Sequence, residues 1–292
     1  MKRGNQIPSQ RGLYDPRWEH DACGIGAVAN ISGRRDHAII EYGNEVLLNL
    51  MHRGASGSDE STGDGAGILF QIPHEFFEEE VRRLRFRLPE RGRYGVAMVF
   101  GPQDAVFRGR CEDLLNKAID DRGLKVLGWR EVPTDNSCLG DLAREAEPVV
   151  RQVFIDGVGL EGSALERQLY LARKRAERLV TEHFGEQAED FYLNSMSCRT
   201  LVYKGMFLAP QLFAYYPDLS DSRIVSALAL VHQRYSTNTF PNWRLAQPFR
   251  MLAHNGEINT LSGNKNRMRG REARMASPLL GDDLSDLSPI IT

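Results

Sequence analysis

One long amphipathic helix, predicted over 163–184, stands between two groups of strand-like segments. Its apolar residues recur at three- and four-residue steps, which is the spacing of a single buried helix face. They are Leu165, Leu169, Ala172, Ala176, Leu179 and Val180. Ser163 and Glu166 predict a capping box, and Gly185 predicts a C-terminal cap. The basic run 173–175 is expected on the solvated face of this helix.

Apolar runs of strand length precede and follow this helix. The pattern predicts strands over 24–30, 66–72, 94–100, 124–130, 191–203, 212–216 and 249–254, an apolar run over 223–232, and helices over 37–52, 112–121 and 259–275. The stretch 133–150 is interpreted as loop or helix. Because strands and helices do not alternate regularly, the order favours a layered α+β domain over a parallel α/β fold.

Composition narrows the class of protein. The chain has 292 residues, 41% hydrophobic and 26% charged, with a net charge of -2. These values are typical of a globular domain, and they argue against a nucleic-acid or anionic-membrane partner. No apolar run reaches the roughly 20 residues of a membrane helix, and the polar stretch 1–9 is not a secretory signal.

Cysteine usage predicts reduced thiols in a cytosol and no metal site. The four cysteines are far apart and show no zinc-ligand spacing. Cys111, Cys138 and Cys198 are interpreted as packing residues. Cys23 differs because it follows a polar leader, residues 1–22, and precedes a run of small apolar residues. Cleavage between Ala22 and Cys23 would give one residue both a thiol nucleophile and an α-amine with a pKa of about 8.

Two further polar clusters supply what a cysteine nucleophile needs. Acyl transfer from an amide requires a nucleophile, a base and donors for a tetrahedral oxyanion. The side chain of Asn255 and the backbone N–H of Gly256 could act as the donors, and Arg234 suits bidentate capture of a carboxylate. Taken singly, the cysteine indicates core packing, the Asn-Gly pair a hairpin turn, and the arginine a salt bridge. Their combination favours an acyl-transfer site.

A glycine-rich stretch offers a competing interpretation as a phosphate-binding loop. It runs Gly63-Asp64-Gly65-Ala66-Gly67. No Lys-Ser or Lys-Thr pair follows it, and it leads into a strand, so a tight turn is favoured.

Five motifs in order resemble a known family. They are Cys-Gly-Ile-Gly at 23–26, His-Arg-Gly-Ala at 52–55, Thr-Gly-Asp-Gly-Ala-Gly-Ile at 62–68, His-Gln-Arg-Tyr-Ser-Thr-Asn-Thr at 232–239 and His-Asn-Gly-Glu-Ile-Asn-Thr at 254–260. Together with 191–205, they closely resemble the class II glutamine amidotransferase domain at the N-terminus of the glutamate synthase large subunit. The resemblance runs from Leu13 to the end of the chain.

The resemblance implies an N-terminal nucleophile hydrolase fold, which is a four-layer αββα sandwich with two antiparallel sheets. It implies a propeptide over 1–22 and the amidotransferase domain over 23–292. Cys23 would attack the side-chain amide of L-glutamine, form a thioester and release ammonia, while its own α-amine shuttles protons. Water would then hydrolyse the thioester to glutamate.

The resemblance also implies roles for five further residues. Asn255 and Gly256 would form the oxyanion hole. Arg234 would hold the glutamine α-carboxylate, with Thr237 nearby, and Arg53 would line the nucleophile pocket. The domain itself would need no cofactor.

The family's synthase region would lie outside these residues. It would take the ammonia to a 2-oxoglutarate site and bind FMN and an iron–sulfur cluster. Electrons would come from NADPH, NADH or ferredoxin, so the expected partners are those synthase domains and a small NADPH-oxidising subunit or ferredoxin, in a cytoplasm or plastid stroma.

The end of the sequence departs from the family pattern. In the family, an aspartate that binds the substrate α-amine follows the Pro-Ile-Ile run, whereas this sequence stops at Thr292. Asp283 and Asp286 are nearby but lie outside the motif. We therefore expect a fragment of a longer protein, with incomplete glutamine binding by the fragment alone.

Two alternatives stay open at this point. One is another class II amidotransferase, of the phosphoribosyl-pyrophosphate or glucosamine-phosphate type. The long region 100–200 and the Tyr-Ser-Thr-Asn-Thr block argue against it. The other is an unprocessed, non-catalytic domain with a folding or regulatory role.

Overall fold

Two four-stranded antiparallel sheets form the framework of the molecule. The computed structural model describes residues 24–56, 59–234, 240–250, 252–254 and 260–291. Its strands are β1 (Ile25–Ala29), β2 (Ala66–Gln71), β3 (Tyr94–Gly101), β4 (Lys125–Glu131), β5 (Val149–Asp156), β6 (Tyr192–Ser197), β7 (Thr200–Gly205) and β8 (Leu228–Gln233). The first sheet has the order β1-β8-β2-β7 and the second β4-β5-β3-β6.

Seven α-helices accompany the sheets in the described residues. They are α1 (Ala38–Asn49), α2 (His74–Arg83), α3 (Ala105–Asp120), α4 (Asp141–Glu145), α5 (Gly162–Phe184), α6 (Gln211–Tyr215) and α7 (Leu261–Glu272). Short 3-10 segments include Met51–Arg53, Pro217–Ser220 and Trp243–Leu245. None of the helices in this part of the chain combines the length and apolar character that a membrane crossing requires.

The layers match the predicted αββα sandwich. Helix α1 lies against β1 and β8 of the first sheet, and α3 and α5 lie against the second sheet. The larger core cluster takes residues from both sheets, such as Phe70 and Tyr203 from the first and Met98 and Phe154 from the second. A second cluster lies under α3 and α5. The α+β fold class predicted from the sequence is therefore confirmed.

Helix α5 confirms the clearest sequence prediction, and Gly185 lies at its C-terminal cap. The predicted capping box is wrong. Glu161 is the N-cap residue, without a side-chain capping bond, and Glu166 instead accepts hydrogen bonds from Ser197 Oγ and from the backbone N–H of Cys198. The carboxylate therefore ties the helix to the turn between β6 and β7.

The basic run in α5 is not wholly solvated, contrary to the prediction. Arg173 is only 8% exposed. Its guanidinium pairs with Glu177 one turn later at 2.7 Å and lies over the ring of Tyr170. The cation can be buried because both partners are on the same helix face.

Three strand predictions need correction. Residues 212–216 lie in and after helix α6 instead of forming a strand. The segment 191–203 is two strands that belong to different sheets, and the described residues of 249–254 contribute only an isolated bridge between Phe249 and Leu252. Strand β5 lies at the centre of the second sheet, although its residues were not predicted as a strand. The helix predicted over 259–275 is confirmed as α7.

Candidate active site

Four strand ends of the first sheet meet at one edge. Because the sheet is antiparallel, Ile25 at the start of β1 pairs with His232 near the end of β8. Ala66 at the start of β2 pairs with both Gln233 and Gly205, the last residues of β8 and β7. The predicted motifs around 24, 65 and 233 are therefore brought to a single place by strand register alone.

Gly24 marks the position next to the predicted nucleophile. Its carbonyl accepts a hydrogen bond of 2.7 Å from the backbone N–H of Gln233. A Cβ atom on Gly24 would lie 2.1 Å from the Gln233 carbonyl oxygen and 3.7 Å from Cβ of Arg53. Only glycine permits this approach of the two strands, and Arg53 lies beside residue 24.

The glycine-rich turn joins the Arg53 and Arg234 segments. The N–H of Asp64 donates to the Ala55 carbonyl at 2.9 Å, and the N–H of Arg234 donates to the Gly65 carbonyl at 2.8 Å. Gly65 has a φ of +142°, a conformation that favours glycine. The stretch is therefore a tight turn into β2, which confirms the interpretation from the sequence. Its hydrogen bonds position the segments that contain Arg53 and Arg234.

The guanidinium of Arg234 is partly withdrawn from solvent. Burial lowers its pKa, and the carboxylate of Asp64 opposes this shift. An arginine stays protonated in spite of such a shift. Burial removes part of the hydration of this guanidinium. Charge-assisted hydrogen bonds to a substrate carboxylate would compensate for that loss.

Two buried polar atoms at this edge of the sheet have no hydrogen-bond partner among the residues that the structure describes. They are Nε of Arg53 and Oε1 of Gln233. Gln233 is 1% exposed, and its side chain lies within 2.4 Å of where a Cβ on Gly54 would be. Since buried polar groups are normally paired, a donor and an acceptor left open here indicate a place for a polar ligand or an ordered water.

The segment that leads into the predicted oxyanion hole is held by two side chains. The carbonyl of His254 accepts hydrogen bonds from Nε2 of His232 at 3.0 Å and from Nε2 of Gln247 at 2.9 Å. The N–H of His254 donates to Oε1 of Gln247 at 2.9 Å. His254 therefore joins the same sheet edge, because His232 belongs to β8.

The structure places two of the six predicted site residues. Arg53 and Arg234 lie at the same sheet edge, linked through residues 55, 64 and 65. The other four, Cys23, Thr237, Asn255 and Gly256, lie outside the described residues. The roles of all six residues stay predictions. Sequence reasoning missed Gln233, Gln247 and Lys204. A buried amide or a single lysine within an apolar strand carries no chemical signature in a sequence.

The remaining cysteines are packing residues, as predicted. Cys111, Cys138 and Cys198 are free thiols, and the first and last are buried. Burial raises the pKa of Cys111 to about 11 and that of Cys198 to about 12, so neither thiol is activated as a nucleophile. Within the part of the chain that the structure describes, no group of three or more His, Cys, Asp or Glu side chains could hold a metal ion.

Comparison with known sequences agrees with this geometry. The model of the family described as "Glutamine amidotransferases class-II" matches residues 23–292. The chain therefore belongs to the class II glutamine amidotransferases, and its two-sheet architecture is the N-terminal nucleophile hydrolase fold.

Similar proteins carry one enzyme name with different electron donors. The chain is 48% identical over 290 residues to the NADPH glutamate synthase large chain of Bacillus subtilis, covering 98% of this chain and 19% of that protein. It is 45% identical to the NADH glutamate synthase of Saccharomyces cerevisiae, covering 98% and 14%. It is 37% identical to the ferredoxin-dependent glutamate synthase of Pyropia yezoensis, covering 99% and 19%. The chain thus spans between about a seventh and a fifth of the length of these curated relatives.

Proposed function

We propose that this chain is the glutaminase domain of a glutamate synthase. It would hydrolyse L-glutamine and pass the ammonia to a 2-oxoglutarate site in the synthase region of the complete protein. The observation that carries the proposal is the meeting, at one sheet edge, of motifs that are far apart in sequence. Backbone hydrogen bonds join residue 24 to Gln233 and the turn at 64–65 to Ala55 and Arg234. Arg53 lies beside residue 24, and side-chain hydrogen bonds from His232 and Gln247 hold His254 there.

The reaction begins with removal of residues 1–22, which we propose to be a propeptide. Cleavage before Cys23 frees its α-amine, which accepts the thiol proton as sulfur attacks the side-chain carbonyl carbon of glutamine. The carbonyl oxygen becomes an oxyanion that the Asn255 side chain and the Gly256 N–H stabilise. The amine then gives the proton to the leaving nitrogen, so that ammonia departs and a γ-glutamyl thioester remains.

Hydrolysis of the thioester completes the cycle. The α-amine takes a proton from a water molecule as the oxygen attacks the thioester carbon. Collapse of the second oxyanion breaks the carbon–sulfur bond, returns a proton to Cys23 and releases glutamate. No redox step occurs, so this half of the overall reaction needs no electron donor.

Arg234 would select glutamine by its α-carboxylate, with Thr237 nearby. Its guanidinium is withdrawn from solvent, so a bidentate pair with a carboxylate would be stronger here than on the protein surface. Arg53, beside residue 24, would line the pocket and offer its open Nε donor to the substrate. We place the substrate between these two arginines.

The glutamate synthase assignment is favoured over other class II amidotransferases. The similar proteins named above are all glutamate synthases, and this chain aligns with each of them over nearly its whole length. FMN and an iron–sulfur cluster would be held by the synthase region of the complete protein. The electron donor, a small subunit or ferredoxin as partner, and a cytoplasmic or plastid location belong to the complete protein.

Three measurements on the complete protein test the proposal. N-terminal sequencing should find Cys23 as the first residue. Cys23→Ala should abolish glutamine-dependent synthesis and leave ammonia-dependent synthesis intact. A glutamine analogue with an electrophilic side chain should label Cys23 and none of the other three cysteines. Unchanged glutamine turnover in Cys23→Ala would refute the assignment, and an intact Met1 in an active protein would refute the role of the amine.

Substitution of Arg234 by lysine tests the substrate clamp. Lysine keeps the charge but cannot form a bidentate pair with a carboxylate. The loss of one charge-assisted hydrogen bond, about 1.5–3 kcal/mol, corresponds to a rise in KM for glutamine of about 10- to 150-fold. Ammonia-dependent synthesis in the same variant is the control and should not change. A KM for glutamine that stays at the wild-type value would contradict the role of Arg234.

A further inference from the structure

We infer that Gln247 is a positioning residue for the glutaminase reaction, acting on the backbone that leads into the oxyanion hole. The inference rests on the proposed function, because it assigns a role in that reaction to a side chain that hydrogen-bonds to the backbone of His254. Its basis is a set of hydrogen bonds from Gln247, His232 and Lys204, which converge on the segment before Asn255.

The carboxamide of Gln247 holds both polar groups of one residue. Its oxygen accepts from the N–H of His254 and its nitrogen donates to the His254 carbonyl, each at 2.9 Å. These partners fix which end of the carboxamide is which, since an N–H needs an acceptor and a carbonyl needs a donor. The His254 carbonyl belongs to the peptide unit that leads into Asn255. Holding it restricts the rotation of that peptide plane.

A second donor strengthens this restraint. Nε2 of His232 donates to the same His254 carbonyl at 3.0 Å. Both donors are buried, since His232 has 0% and Gln247 7% exposure. His232 lies one residue before Gln233, which bonds to Gly24 beside the nucleophile. Strand β8 therefore holds both the His254 carbonyl, through His232, and Gly24, through Gln233.

Gln247 is itself fixed to the sheet by a buried lysine. Nζ of Lys204 on β7 donates to the carbonyls of Arg244 and Ala246, both at 2.8 Å. Burial lowers the pKa of this lysine well below its usual value, and the charges of Arg250 and Arg234 add to the shift. A buried ammonium costs free energy unless its donors are used. The two carbonyl acceptors satisfy these donors, and the hydrogen bonds anchor the segment before Gln247 to β7.

The backbone of Gln247 lies close against β2. A Cβ atom on Gly67 of β2 would lie 2.5 Å from the Gln247 carbonyl oxygen and 2.6 Å from Cβ of Lys204. The glycine therefore lets the segment lie directly on the sheet. Gln247 links three strands, β2, β7 and β8, to the residue that precedes the oxyanion donors. Such preorganisation is what oxyanion stabilisation requires.

The experiment compares two variants of Gln247 in the complete, processed protein. Gln247→Leu removes both hydrogen bonds with little change in volume. Gln247→Glu retains an acceptor for the His254 N–H but turns a carboxylate toward the His254 carbonyl. The matched control is Gln211→Leu, because the carboxamide of Gln211 also bonds only to backbone groups, at Leu208, Ser61 and Cys138.

Three measurements distinguish a loss of oxyanion-hole positioning from a general disruption of the structure. The first is kcat and KM for glutamine hydrolysis. The second is inhibition by glutamate γ-semialdehyde, whose adduct with Cys23 carries a tetrahedral oxygen like that of the reaction. The third is alkylation of Cys23 by iodoacetamide, a displacement that forms no oxyanion. We expect kcat to fall about 10- to 100-fold in both Gln247 variants, with KM within about threefold. The inhibition constant should rise in parallel, while alkylation stays within about twofold of wild type.

Several results would overturn the inference. Wild-type kcat in both Gln247 variants would show that the His254 restraint has no catalytic effect. A fall in Cys23 alkylation equal to the fall in kcat, or a loss of kcat as large in Gln211→Leu, would show general disruption. Glutamate γ-semialdehyde binding that stays at the wild-type level while kcat falls would also contradict it. The proposed function fails separately, when the wild-type protein itself lacks Cys23-dependent glutaminase activity.

Discussion

Neutralising Asp218 should destabilise the domain strongly, because Asp218 is half of an ion pair buried between the sheets. Its carboxylate oxygens accept from Nη1 and Nη2 of Arg130, both at 2.8 Å, and from the hydroxyl of Tyr203 at 2.8 Å. Both charged side chains are 5% exposed. Burial lowers the pKa of Arg130, and the hydrogen bond to Asp218, together with other nearby groups, more than offsets this shift. Because an arginine stays protonated in proteins, the guanidinium keeps its charge in the Asp218→Asn variant.

The expected loss of stability follows from the charge of Arg130, which stays buried without its main partner in the Asp218→Asn variant. Removing one partner of a buried ion pair typically costs about 3–5 kcal/mol, which for a domain of this size corresponds to a fall in Tm of about 6–20 °C. Glu80 approaches Arg130 at 3.6 Å and would offset part of the loss. We therefore expect the lower half of this range for Asp218→Asn.

Thermal and urea unfolding, followed by circular dichroism, measure the change. Glu75→Gln is the matched control, because its partner Arg91 and Glu75 itself are both exposed, and an exposed pair contributes about 0–1 kcal/mol. The double variant Arg130→Met/Asp218→Leu should be more stable than Asp218→Asn, since no uncompensated charge remains. A loss below about 1 kcal/mol in Asp218→Asn, or a double variant less stable than it, would refute the reasoning.

Two further predictions concern packing and thiol chemistry. Gly109 lies inside α3 with open space where a Cβ would be, so Gly109→Ala should stabilise the domain by about 0.5–1 kcal/mol in urea unfolding. A lower stability would show that this position is not free. The thiols of Cys111 and Cys198 have pKa values raised from 9.0 to about 11 and about 12. They therefore contribute stability that is complete below pH 9 and is lost as pH rises through these values. Mass spectrometry after iodoacetamide treatment at pH 8 should find both unmodified in the native protein and modified in urea, and rapid native labelling would contradict their burial.

The elements with a strong period could be predicted from sequence, whereas those set by tertiary contacts could not. Helix α5 shows a continuous apolar face and was predicted nearly to its ends. Strand β5 was missed because Arg151 and Gln152 interrupt its apolar residues. The structure explains them, since Arg151 pairs with Glu112 and Gln152 bonds Arg130 and Tyr203. A strand cannot be predicted from its hydrophobic pattern when polar residues with buried partners interrupt that pattern.

Helix α6 was mistaken for a strand for the opposite reason. Its sequence, Gln-Leu-Phe-Ala-Tyr, is rich in the aromatic residues that favour strands. Tyr215 and Tyr216 instead pack edge to face on each other and near the Phe207 ring. Tertiary packing of three rings therefore overrides local preference over a segment of five residues.

The candidate site divides in the same way. Arg53 and Arg234 could be found because their chemistry is visible in the sequence and their motifs are distinctive. Gln233, Gln247 and Lys204 could not, because their importance comes from burial and from backbone partners. The sequence thus identifies the residues that we propose to contact the substrate more readily than the residues that hold the surrounding segments in place.

The pairing of β1 with β8 also sets a limit on when the site can exist during synthesis. Ile25 and His232 are neighbours in the sheet, yet about 200 residues of chain separate them, and such distant contacts form late in folding. At a translation rate of about 5–20 residues per second, β1 waits roughly 10–40 seconds for its partner strand to be made. Until then the segment that begins at Gly24 lacks the strand that would hold it. Any processing that depends on the assembled sheet edge therefore cannot occur before β8 has been synthesised.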